Sequence, residues 1–173
     1  MRPHFDNLTP MAHSAQNRCF GCGEANQHGL QLEFLLAPDG TVVCPATISN
    51  RFEGRSGFLH GGIIATLLDE TMSKAVRARG LTAMTRHLEV DYRRPVPSCA
   101  PIRMEGRIVR DEGRKHWVEA TIFDSDGHSL AHGKGLFVEV RERTEKEPRR
   151  MDGAPPIFYW WFASCERRWF WLR

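Results

Sequence analysis

Residues 60–80 read HGGIIATLLDETMSKAVRARG, and the fold turns on how this stretch is read. Apolar Ile64, Leu67, Leu68, Met72, Ala75 and Val76 recur at helical spacing. Thr66, Asp69, Glu70, Ser73 and Arg77 form a polar stripe beside them. Gly80 supplies a stop. The spacing therefore predicts one long helix. Its beginning is unusual, because glycine more often follows a helix than starts one. Here Gly61 and Gly62 stand at the front, directly behind His60.

The flanking chain alternates with period two, which is the signature of strands. Leu30, Leu32 and Phe34 would share one face of a first strand, with Gln31 and Glu33 on the other. PDG at 38–40 is a turn signal. TVVCPATIS at 41–49 resumes as a second strand, edge-like or bulged at Pro45. Behind the helix, AMTRHLEVDYRR, IRMEGRIVRD, KHWVEATIFD and SLAHGKGLFVEV read as successive strands joined by the turns EGR and SDG. Two strands, one long helix and then three or four antiparallel strands make an α+β chain, one sheet with a single helix laid against it. The expected boundaries are an irregular N-terminal segment at 1–28, a folded domain at 29–143 and a tail at 144–173.

The chain has 173 residues, 26 % of them charged and 41 % hydrophobic, an ordinary globular balance. Net charge is +3, and all of that excess falls in residues 149–173, which hold five arginines against Asp152 and Glu166. The remainder is neutral overall, without the basic surplus a nucleic-acid-binding domain carries. No apolar run approaches the ~20 residues that span a bilayer. The N-terminus lacks a continuous apolar leader. Five cysteines without a regular framework read as reduced thiols, so a cytoplasmic location is expected.

The chemistry concentrates at the helix start. Helix N-termini leave backbone N–H groups unpaired and carry partial positive charge. Glycine there lets another group approach the backbone closely. Gly61 and Gly62 are thus candidate donors to a carbonyl oxygen gaining negative charge, or a turn that needs glycine for conformation alone. Asp69 lies nine residues beyond His60, about 13.5 Å along the axis and half a turn around it. One helix cannot bring the glycine amides and the Asp69 carboxylate to the same atom. If both serve one site, two copies of the chain must supply them, as a twofold dimer with facing helices would.

HGGIIATLLDE resembles the hotdog-fold thioesterases of the PaaI-like group, and further stretches agree in the same order. CFGCGEANQHGLQLEF at 19–34 resembles the leading segment of a subgroup, and FEGRSGFLHGG at 52–62 the loop before the helix. VDYRRPVP at 90–97 resembles the strand after the helix, and residues 112–140 the last hairpin. The resemblance implies a hotdog fold, an antiparallel sheet wrapped around the helix. It also implies a homodimer or dimer of dimers, and hydrolysis of acyl-CoA without cofactor or metal. Carried over, the Gly61 amide would polarise the thioester carbonyl while His60 and Gly62 shape the turn. Asp69 of the second chain would be general base or nucleophile, with Thr85 orienting the water. Relatives place an asparagine or glutamine six or seven residues before the histidine, where this chain has Gly54 and Glu53. Glu53 would bind an amine-bearing substrate or face solvent, since an ionised carboxylate repels an oxyanion.

Arg55, Arg86, Arg93, Arg94, Lys115 and Lys134 are candidates for the phosphates of CoA. Glu70 points about 100° away from Asp69 and reads as structural. A single C-x-x-C at Cys19 and Cys22, with His28 as an imaginable third ligand, is a weak metal signal. A turn packing Phe20 against the core is the reading preferred here. Tryptophans 160, 161, 169 and 171 crowd the tail, which matches nothing in the family pattern. Two other functions remain open on the same fold, a hydratase or dehydratase and a non-catalytic acyl-CoA-binding protein.

Overall fold

The stretch around Leu67 forms the helix α1, Gly61–Arg77, and its apolar stripe is wholly buried from Ile64 to Val76. Leu67, Leu68 and Met72 have no exposed surface, and each such side chain contributes roughly 1.5–3 kcal/mol on leaving water. Gly80 takes the left-handed conformation (φ 75°) that ends the turn after the helix. The computed structural model describes residues 7–12 and 14–140, which fall in one unit, Met1–Arg141. The tail expected at 144–173 lies outside the described residues.

The strands in chain order are β1 Thr9–Pro10, β2 Leu35–Leu36, β3 Val42–Thr47, β4 Glu53–Arg55 and β5 Phe58–Leu59. After the helix come β6 Ala83–Tyr92, β7 Pro101–Glu112, β8 Lys115–Phe123 and β9 Ser129–Glu139. Seven of them form one antiparallel sheet in the order β1-β2-β3-β7-β8-β9-β6, while β4 and β5 form a small ribbon before the helix. The helix packs against this sheet, on β3 and β6 to β9. This is the α+β hotdog arrangement. Gly106 of β7 and Gly133 and Gly135 of β9 lie under the helix, and a Cβ at Gly106 would stand 2.8 Å from Thr71 Cγ2. The sheet can approach that closely only where side chains are missing.

The N-terminal third departs from the expected pattern. Leu32 and Phe34 are buried and Gln31 and Glu33 exposed, as the alternation requires, yet the strand there is only β2. Gln31 sits at φ 49°, and the backbone bonds instead to loops, Leu30 N–H to Phe20 O (2.8 Å) and Leu32 N–H to Gly21 O (2.9 Å). Residues 1–28 are not wholly irregular either, because β1 pairs with β2 and extends the sheet. Pro45 causes no bulge: β3 runs against β7 without a register shift. Only Val42 and Val43 pair with β2, so Pro45 has a neighbour on one side alone. Phe20 is 43 % exposed, in edge contact with Phe52, and it is Cys22 that enters the core.

Candidate active site

His60 caps the helix. Its backbone is extended (φ −64°, ψ 140°), and its Nδ1 accepts from the Gly62 N–H at 3.0 Å. That bond places the ring proton on Nε2. The N–H groups of Ile63 and Ile64 both bond to His60 O, at 2.9 and 3.1 Å. The Gly61 N–H alone in this first turn has no acceptor among the described residues. A buried or half-buried amide left this way is a ready donor for a ligand oxygen. The turn is held from both sides: His60 N–H bonds to Phe52 O (2.9 Å), and Tyr92 Oη donates to Gly61 O (3.0 Å). Gly54 completes it, because a Cβ there would stand 3.0 Å from His60 Cα.

A cleft of about 810 Å³ opens at this turn. Gly61, Phe58, Ile64 and Tyr92 line its apolar side, and Arg55, Arg93 and Arg94 its charged rim. Arg93 is already engaged, with Asp91 at 2.8 Å and Ser129 at 3.0 Å. Arg55 and Arg94 have no ion-pair partner among the described residues, so they stay available to an anion. Arg86, at the register shift between β6 and β9, does not line the cleft, and neither do Lys115 and Lys134. Glu53 is also absent from its lining. The Glu53 carboxylate accepts from the Ser98 hydroxyl at 2.5 Å, turned to its own chain rather than to solvent.

Asp69 stands two turns further along α1 and does not reach the cleft. The Thr85 hydroxyl, on β6, donates to its Oδ1 at 2.7 Å. Burial pushes the Asp69 carboxyl above the ordinary carboxylate range, the Thr85 bond pulls it back, and the neighbouring Glu70 charge adds to the rise. Within one chain, then, two groups form: Gly61 with the arginines, and Asp69 with Thr85. Eight residues of helix, about 12 Å, separate them. Tyr92 lies in a stretch read from the sequence only as a strand, although a tyrosine hydroxyl beside a helix end finds a partner there. Ser98 carries no linear signal, being 45 residues from Glu53.

The sequence and the fold have known counterparts. The sequence profile of the Thioesterase superfamily matches residues 56–131, which hold the cap, the helix and Asp69. The likeness of residues 56–131 is thus to the thioesterase superfamily. The acyl-coenzyme A thioesterase THEM4 of Rattus norvegicus is 30 % identical over 118 residues, covering 66 % of this chain and 51 % of that protein. This chain thus spans about half the length of that relative. Among solved structures, the thioesterase-superfamily protein RHA08564 is 30 % identical with a TM-score of 0.68, over 70 % of this chain and 60 % of that one. The BH2602 protein of Bacillus halodurans, crystallised with CoA, is 29 % identical with a TM-score of 0.59, over 66 % and 77 %. PaaI of E. coli, at 17 % identity and a TM-score of 0.60 over 65 % and 81 %, shares the hotdog fold alone. No helix among the described residues is long and apolar enough to cross a membrane.

Proposed function

We propose that this chain hydrolyses acyl-CoA thioesters at a site built between two of its copies. The observation that carries the reading is the Gly61 N–H, left without an acceptor where the helix meets the cleft. A thioester oxygen placed there meets a fixed donor reinforced by the helix dipole, worth most when charge develops on it. Arg55 and Arg94 on the rim suit the phosphates of CoA. The CoA-bound relative from Bacillus halodurans supports that ligand class.

The carboxylate comes from the second copy. Asp69 there takes a proton from water as the water oxygen attacks the carbonyl carbon. The tetrahedral intermediate then collapses, the carbon–sulfur bond breaks, and CoA leaves as its thiol with that proton. Thr85 keeps the carboxylate aimed and ionised. Direct attack by Asp69 would give the same products through an anhydride. A hydratase would need His60 as proton carrier, but its Nδ1 lone pair already holds the Gly62 N–H.

Thiol release from short, long and aromatic acyl-CoAs tests the proposal. Asp69→Ala should lower kcat by about 10²–10⁴-fold while the dimer persists. Full residual activity in that variant overturns the role. Tight acyl-CoA binding by the unaltered chain with no turnover would make it a non-catalytic binder instead.

A further inference from the structure

The C-x-x-C turn that the active site does not use is seated on the helix. Gly23 N–H bonds to Cys19 O (3.0 Å) and Cys19 N–H to Asn17 Oδ1 (3.0 Å), which curls residues 17–23 around both sulfurs. The turn lies against Glu70 of α1. Cys19 Sγ is 3.5 Å from Glu70 Oε2, and the donor atoms of Cys19, Cys22 and Glu70 all lie within 4.8 Å of one another. A tetrahedral zinc ion with bonds of about 2.3 Å to sulfur and 2.0 Å to oxygen holds such ligands about 3.5 Å apart. His28, the third ligand the sequence suggested, is not in this cluster.

Two more observations bear on the same place. Hydrogen-bond donors converge on the sulfurs: Gly21 N–H on Cys19 Sγ (3.3 Å), and Asn17 Nδ2 (3.4 Å) and Lys74 Nζ (2.9 Å) on Cys22 Sγ. Such donors stabilise thiolates far better than neutral thiols. Gly21 also lacks room for a side chain, since a Cβ would stand 2.7 Å from Glu70 Oε2. The turn is shaped to receive that carboxylate. Two thiolates and Glu70 beside the Lys74 ammonium leave a charge of −2, which one divalent cation cancels.

We propose that Cys19, Cys22 and Glu70 bind a divalent cation of the zinc class, which fastens the N-terminal segment to α1. Two sulfurs select zinc over magnesium or calcium. Three protein ligands leave one position for water from the cavity of about 480 Å³ that the same residues line with Ser73 and Lys74.

The full-length chain, reduced and stripped by a chelator, is titrated with cobalt(II) and then zinc(II). The expected result is about one cobalt per chain with a thiolate charge-transfer band, bleached as zinc replaces it. Cys19→Ser and Cys22→Ser each abolish the band, and Cys99→Ser, at an exposed cysteine outside the cluster, leaves it intact. Glu70→Gln, which keeps the shape of the side chain, weakens zinc binding at least about tenfold. No band in the reduced chain, a band that survives in the Cys19→Ser/Cys22→Ser double variant, or unchanged affinity in Glu70→Gln each overturns the proposal. The readout is metal uptake, independent of thioester hydrolysis.

Discussion

At the scale of single residues, Gly61 allows a test that separates its amide from its shape. It is the first helical residue after the His60 cap, a position where proline is well tolerated. His60 already has the extended backbone that must precede a proline. Gly61→Pro therefore removes one N–H that binds nothing among the described residues while leaving the helix intact. The expected outcome is an unchanged melting temperature with kcat down by about 10²–10³-fold, the usual weight of one oxyanion donor. Thr85→Val probes the base. A general base works ionised, so the rate falls as pH drops through the Asp69 pKa. Burial has raised that pKa and the Thr85 hydroxyl lowers it. Without the hydroxyl it rises further, and the acid limb of the pH–rate profile should move to higher pH. A limb that stays in place would assign the titration to another group. The spacing of His60, Gly61, Gly62 and Asp69 could be read from the sequence because one helix fixes it. The ties of Tyr92 to Gly61, Ser98 to Glu53 and Cys19 to Glu70 could not, since sheet and loop closure alone bring them together.

At the scale of elements, the close approach of helix and sheet is the testable feature. Gly106→Ala would put a Cβ 2.8 Å from Thr71 Cγ2 and 3.1 Å from Thr71 O. The methyl end can turn, but the backbone oxygen cannot, so the helix must lift. Denaturant unfolding should show a loss of about 1–3 kcal/mol, as overpacking of a filled core does. The strands behind the helix were legible because buried positions recur at every second residue along much of β7, β8 and β9. Leu30–Phe34 alternates as well, and there the pattern misled. Alternation reports which side chains face the core, and an extended segment bonded to loops satisfies it as well as a strand does. β6 shows the opposite limit, since most of its residues are exposed although it is ten residues long.

At the scale of the whole molecule, the proposed site is divided between chains, and mixing tests that division directly. Gly61→Pro and Asp69→Ala should each be nearly inactive alone. A hybrid of the two carries one ruined site and one with both groups intact. Random reassortment makes half the dimers hybrids, so the mixture should recover about a quarter of the original rate. Two inactive chains that stay inactive after reassortment would mean that each chain serves itself. β6 bears on this same assembly, because β9 pairs with one side of it and no described strand with the other. Along its ten residues every second N–H and C=O lies unzipped on that flank, with Met84 64 % and Tyr92 53 % exposed beside them. A newly made copy travelling alone offers the flank to any extended peptide, a neighbour in the wrong register included. Crowded refolding then becomes a race between orderly zippering and clumping, and dilution slows the clumping more because it recruits more than two chains.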